Sequence, residues 1–259
     1  MGIFDIFKKQ PTPAPQPAST PQPAPSAGVS LTKNPELDKK ISLRKNIVVD
    51  LTKKQNIGIT AARVVFVLDH SGSMRQMYKD GTVQDVLERI FPIAMHFDDN
   101  AEMEFYLFDS NFRELIPVNY SSIDGYVQRV ILSRNDHFGG TMYAPVIKEI
   151  TDRYTKREPA AISTFVIFIT DGSNSDKKDA KEAITTAANY NIFWKFVGIG
   201  NEKFEFLERL DELEGRFVDN ANFVSINDIT KIDDRELYSR LLEEYGDWSA
   251  AARQKGLKV

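Results

Sequence analysis

The stretch Arg63-Val64-Val65-Phe66-Val67-Leu68-Asp69-His70-Ser71-Gly72-Ser73 joins an apolar run to a turn of oxygen-bearing side chains. The apolar residues at 64–68 run without a polar interruption, so a strand built from them is apolar on both faces. Such strands belong to parallel sheets covered by helices on both sides. A second run of the same kind, Phe165-Val166-Ile167-Phe168-Ile169, leads into Thr170-Asp171-Gly172-Ser173. The pattern predicts an α/β fold: a doubly wound, mostly parallel sheet flanked by helices. In such sheets ligands bind beyond the carboxyl ends of the central strands, where the winding reverses. Asp69 and Asp171 both fall at that kind of end.

The spacing Asp-x-Ser-x-Ser at Asp69, Ser71 and Ser73 puts three oxygen donors on one tight turn. Oxygen-only donors suit a hard cation such as Mg²⁺. Further donors recur at Thr141, in Phe138-Gly139-Gly140-Thr141, and at Asp171, each where a loop leaves a regular element. Together they predict one shared site. Two carboxylates only neutralise a divalent ion, and the neutral hydroxyls leave a coordination position to water. The metal would stay electrophilic and open to a carboxylate from a partner. Gly72 keeps side-chain bulk away from the ion. The competing explanation for Asp69 and its serines is a capped helix start; Thr141 and Asp171, matched in kind and position, favour the ion.

A chain of 259 residues with 42% hydrophobic content can bury a substantial core. Its net charge of -4 offers no basic field for phosphate backbones, which argues against nucleic acid as a partner. Cysteine is absent, so disulfides, thiolate zinc sites and cysteine nucleophiles are excluded, and the chain suits a reducing cytoplasm. No stretch approaches the roughly 18 to 20 apolar residues of a membrane span. Residues 1–9 also lack the basic lead and long apolar segment of a secretory signal.

Residues 11–27 form a Pro-rich tether: seven of the twelve prolines fall between Pro11 and Ser26. Such a segment buries too little to fold and is expected to be disordered. In polyproline II geometry it would span on the order of 50 Å. Ahead of it, residues 1–10 combine Ile3, Phe4, Ile6 and Phe7 with Lys8 and Lys9, a short segment suited to docking on a partner or a membrane surface. Residues 28–60 read as an N-terminal extension, a strand or hairpin followed by a helix near residues 50–55. The main domain is expected over residues 61–259.

Within it, strands are expected at residues 63–69, 101–108, 113–117, 163–170, 193–199 and 222–226, the third a short edge strand. Helices are expected at residues 84–97, 123–132, 145–156, 177–190, 204–213 and, closing the chain, 237–255. Trp248, with Leu241, Leu242 and Tyr245, is expected to anchor the last helix on the sheet. His70, His96 and His137 are too scattered for a zinc site and are read as non-ligands. Asp109 and Asp176 stand near loop starts, where they would orient water or, more simply, cap helices. Gly198-Ile199-Gly200 lacks the third glycine of a dinucleotide fingerprint and reads as a strand-end turn.

With these residues in hand, the chain resembles the von Willebrand factor A domain family over roughly residues 61–226. The family's metal-ion-dependent adhesion site is written Asp-x-Ser-x-Ser, a loop Thr and a loop Asp, matched here by Asp69, Ser71, Ser73, Thr141 and Asp171. The resemblance implies that Ser71, Ser73 and Thr141 ligate Mg²⁺, with Mn²⁺ and Ca²⁺ as alternatives. It implies that Asp69 and Asp171 act directly or through water. More narrowly, Phe138-Gly139-Gly140-Thr141-Met142-Tyr143-Ala144-Pro145 is similar to the metal loop of bacterial tellurium-resistance proteins carrying this domain. Glu244-Tyr245-Gly246-Asp247-Trp248, with Ala252-Arg253 and Gly256-Leu257, is similar to their closing helix. Gly28-Val29-Ser30-Leu31-Thr32-Lys33 is similar to the opening of the calcium-binding domain that this resistance system uses repeatedly.

The resemblance implies a non-enzymatic, cytoplasmic, Mg²⁺-dependent protein-interaction module in a tellurite-resistance or stress-response system. Its partner would supply a carboxylate and would be another tellurium-resistance protein. An adaptor for an AAA⁺ ATPase is the alternative. A metal-dependent hydrolase is the third reading; it needs a general base, for which only His70 or Asp109 stands near the site, and the chain has no P-loop lysine.

Overall fold

In the computed structural model, which describes residues 32–57, 61–98 and 100–259, a single six-stranded sheet organises the chain. Its strands are β1 (Ala62–Asp69), β2 (Met103–Phe108), β3 (Phe112–Val118), β4 (Ser163–Thr170), β5 (Ile192–Ile199) and β6 (Ala221–Ile226). Their order is β3-β2-β1-β4-β5-β6, parallel throughout except for the antiparallel edge pair β2 and β3. The expected doubly wound sheet is therefore present. The reversal of winding lies between β1 and β4, the two runs without alternation.

Every residue of β4 and β5 is buried, and so is β1 from Val64 onward. Side chains alternate between two cores, as the pleat requires. Val64, Phe66, Leu68, Phe165, Ile167 and Ile169 face one core, while Val65, Val67, Val166 and Phe168 face the other. The first core is covered by α1 (Pro35–Lys54), α3 (Thr82–Phe97), α7 (Asp234–Leu242) and α8 (Tyr245–Gln254). The second is covered by α4 (Ala144–Asp152), α5 (Lys177–Ala187) and α6 (Glu205–Asp211). Each fully buried Val, Ile or Phe contributes about 1.5–3 kcal/mol, so two such layers hold the strand ends rigidly.

Four sequence expectations need correction. Residues 35–54 form one helix rather than a strand or hairpin with a short helix. Its buried residues Leu37, Ile41, Val48 and Leu51 recur at helical spacing, and Asn34 caps it through a 3.2 Å bond from the Leu37 amide. The closing helix is two helices, broken at Glu244, whose φ of 65° cannot continue an α-helix. Beyond the break, Gly246 lies so close to Ile57 that an added Cβ would stand 3.3 Å from its Cγ1. The helix expected over residues 123–132 is a wide π-turn, Val127–Ile131, running into a 3₁₀ turn, Leu132–Arg134. The helix that begins at Ala144 likewise ends in a π-turn at Arg153–Arg157. A short helix, α2 (Arg75–Lys79), was not foreseen.

Trp248 packs as expected, its ring centroid 5.3 Å from Phe193 and 5.5 Å from Tyr245. Gly200 makes the strand-end turn at φ 104°. The apolar opening, the Pro-rich tether and residues 28–31 lie outside the described residues. No helix among the described residues is long and apolar enough to cross a membrane.

Candidate functional site

Parallel pairing of β1 with β4, with Leu68 opposite Ile169, brings Asp69 and Thr170 to the same end of the sheet. Asp69 is fully buried. One carboxylate oxygen, Oδ1, accepts the Ser71 amide at 2.7 Å, and Oδ2 accepts the Thr170 hydroxyl at 2.6 Å. Its backbone carbonyl accepts the Tyr78 hydroxyl at 2.9 Å. The turn after Asp69 then sets Ser71 Oγ and Ser73 Oγ 3.0 Å apart, and Ser73 Oγ donates to Asp171 Oδ1 at 2.8 Å. Four of the five predicted residues are thus joined in one hydrogen-bonded chain across two strand ends.

The fifth, Thr141, is brought in by its backbone. Its carbonyl accepts both the amide (2.9 Å) and the hydroxyl (3.1 Å) of Ser175, in the loop that carries Asp171. The same loop sends Asp176 to the start of α4, where its carboxylate accepts the Tyr143 and Ala144 amides at 3.0 and 2.7 Å. On the other side, Gly139 bridges to Ser71 in a short parallel pairing, with the Gly72 amide on the Gly139 carbonyl at 3.1 Å. Gly139 approaches so closely that an added Cβ would sit 2.8 Å from Asp109 Cβ. Tyr143 closes the ring of contacts from beneath, its hydroxyl on the Gly172 carbonyl at 2.6 Å and on Thr170 Oγ1 at 3.2 Å. Three loops are therefore tied to one another at every junction, as a preorganised site requires.

Burial raises Asp69 to about 6 against hydrogen bonds from Thr170 and Ser71 that favour its charged form. Burial also raises Asp171, against the Ser73 hydrogen bond. Two desolvated carboxylates beside a row of hydroxyls form a site whose charge a divalent cation would balance. Among the described residues no group of three or more His, Cys, Asp or Glu side chains is placed to hold a metal ion. With the hydroxyls of Ser71, Ser73 and Thr141 beside two carboxylates, the donor set is all oxygen, the kind that hard cations prefer. Ser73 and Thr141 are open to solvent in whole or in part, whereas Asp69 and Ser71 are buried, so the hydroxyl side is the accessible one.

The other candidates resolve into support. His70 is 2% exposed, stacks on Phe138 at 4.2 Å and has Nδ1 3.1 Å from the Arg113 guanidinium. Burial, then Arg113, lowers it to about 4, so the ring is neutral. His96 pairs with Thr52 at 3.1 Å, far along the chain from the site, and His137 is exposed. Asp109 Oδ1 accepts the Asn111 amide at 2.9 Å and shapes its own turn. Asp176 caps a helix, but the helix is α4 rather than the one that follows it. The sequence reading missed Thr170, Tyr143, Tyr78 and Ser175. Thr170 had a signal: it precedes Asp171 at the end of the strand that must pair with β1.

Residues 61–258 match the family model described as the von Willebrand factor A domain found in the TerF C terminus. The uncharacterized protein YcbR of Bacillus subtilis (strain 168) is 44% identical over 216 residues, which covers 83% of this chain and 88% of that protein. Among solved structures, the von Willebrand factor type A protein from Catenulispora acidiphila aligns with a TM-score of 0.50 at 17% identity, over 71% of this chain and 43% of the other. Proximal thread matrix protein 1 from the mussel byssus, in a structure described as having a zinc occupied MIDAS motif, aligns with a TM-score of 0.52 at 16% identity, over 73% and 48%. The chain spans under half the length of either solved structure, and at these identities the likeness is one of fold.

Proposed function

This chain belongs to the von Willebrand factor A domains of the kind found in the TerF C terminus, and from that premise we propose that its three-loop site holds a divalent cation through which it binds a carboxylate of a protein partner. The hydroxyls of Ser71, Ser73 and Thr141 would contact the ion, with Asp69 and Asp171 acting directly or through water. The observation that carries the reading is the continuous hydrogen-bonded chain from Thr170 through Asp69, Ser71 and Ser73 to Asp171, which gathers five oxygen-bearing residues at the ends of β1 and β4. The zinc in the mussel-protein structure supports the capacity of the fold to take a divalent ion at this motif.

Mg²⁺ is the proposed cation because the donors are hard oxygens; Mn²⁺ and Ca²⁺ share that preference. The ion would leave one position for an acidic side chain from outside. The family description supports a setting in tellurite resistance, with a partner from that system, and the cysteine-free composition supports a cytoplasmic location. The proposed role is binding rather than catalysis. His70 stacks on Phe138 beside the Arg113 guanidinium, and Asp109 Oδ1 accepts the Asn111 amide, so both candidate bases already serve the loops around the site.

Water-proton relaxation with Mn²⁺ as the probe tests the open position directly. The wild type should enhance relaxation over free Mn²⁺, and added acetate should reduce the enhancement by displacing the water. Asp171→Ala should show no enhancement. Enhancement of equal size in Asp171→Ala, or none in the wild type, would overturn the proposal.

A further inference from the structure

Between α5 and α6 runs an open groove of about 380 Å³ whose floor is Phe206, Leu210 and Leu213 and whose rim is Lys177, Lys178 and Lys181. The lining includes no carboxylate. The fourth cation on it, Arg209, is occupied by Glu205 at 3.2 Å, but none of the three lysines has an ion-pair partner among the described residues. Three exposed lysines and an apolar floor thus line one groove, on a chain whose net charge is -4. The floor also meets the site described above. Phe206 lies 6.3 Å from the Tyr143 ring, and the Tyr143 hydroxyl holds the Gly172 carbonyl.

We infer that this groove is a docking site for an acidic segment of a partner protein, with Asp or Glu side chains meeting the lysines and aliphatic or aromatic ones filling the floor. Charge complementarity selects the occupant. The apolar opening of this chain itself carries Lys8 and Lys9 against the single Asp5, so its charge repeats that of the rim. A phosphate backbone would satisfy the lysines and leave Phe206, Leu210 and Leu213 wet. A bilayer needs a protruding apolar surface, whereas this one is concave. An amphipathic acidic segment uses both parts. The groove contains none of the residues proposed to hold the cation, so this inference stands independently of the metal.

The test is fluorescence anisotropy with a labelled short peptide of alternating Glu and Leu pairs, in EDTA. The wild type and Asp171→Ala should bind it alike. Combining Lys177→Gln, Lys178→Gln and Lys181→Gln should weaken binding by on the order of tenfold and flatten its salt dependence. Leu213→Ser should weaken it with the salt dependence kept. The same peptide with Gln for Glu should bind as weakly as the lysine variant. Unchanged binding by the lysine variant, or no binding by the wild type, would overturn the inference. So would lysine-dependent binding of phosphatidylserine vesicles or oligothymidylate in place of the peptide. Loss of a Mg²⁺ response with peptide binding intact would count against the metal site alone.

Discussion

Asp69 is a carboxylate that the fold holds at a cost. Burial opposes its charge and pushes its pKa up to about 6 from the ordinary 3.8 of an exposed aspartate. The folded state therefore keeps a proton that the unfolded state has lost between these two values. Stability falls as pH rises through that window and is lowest above it, by about 3 kcal/mol for a shift of this size. In EDTA at pH 7, Asp69→Asn should thus melt above the wild type, and the difference should shrink as the pH is lowered from 6 to 4. Mg²⁺ should reverse the ranking, because only the wild type offers the cation its charge. Thermal melts across pH check this; a variant less stable at pH 7 in EDTA would show that the hydrogen bonds from Ser71 and Thr170 outweigh burial. Gly139 makes a second prediction at this scale. A methyl there meets Asp109 Cβ at 2.8 Å, so Gly139→Ala must displace the loop that bridges to Ser71. Titration calorimetry should record weaker Mg²⁺ binding by the variant, with the circular dichroism of the folded sheet retained.

At the scale of elements, three helices over the first core, α1, α3 and α7, meet at one carboxylate. Asp234, at the start of α7, accepts Arg89 of α3 at 2.8 Å and Arg44 of α1 at 3.0 Å. Arg89 is 4% exposed and also donates to the Ile232 carbonyl at 2.6 Å. Asp234→Ala would leave that guanidinium buried without its counter-charge and should destabilise the protein by about 3 kcal/mol, measured by urea unfolding. Replacing Asp234 with Asn should cost less, since it keeps an acceptor. This tie was not legible in the sequence, for two reasons. The stretch Ile41-Ser42-Leu43-Arg44 alternates locally like a strand, and Ile47-Val48-Val49-Asp50-Leu51 is a short β-branched run of the kind that strands favour. Only the wider spacing of Leu37, Ile41, Val48 and Leu51, closed by the core of α3 and α7, makes one helix of them. The break at Glu244 was hidden in the same way, because a left-handed residue other than glycine leaves no compositional mark.

For the whole molecule, the sheet was legible because two of its central strands, β1 and β4, are apolar on both faces, and no half-exposed strand has that pattern. Their carboxyl ends fall at the reversal of winding, so Asp69 and Asp171 could be assigned to one place before any contact was known. The supports beneath them were not legible. Tyr143 and Ser175 act through loop junctions that depend on how three distant segments meet, and a linear spacing carries no record of that. Together these junctions form the proposed cation site. The most direct test is the melting temperature of the wild type and of Asp171→Ala in EDTA and in rising Mg²⁺. At about ten times the dissociation constant the ion should add roughly 1.4 kcal/mol, a rise of a few degrees for a domain of this size. That rise should appear in the wild type and be absent from Asp171→Ala. An equal rise in both proteins, or a flat response in the wild type at saturating Mg²⁺, would contradict it.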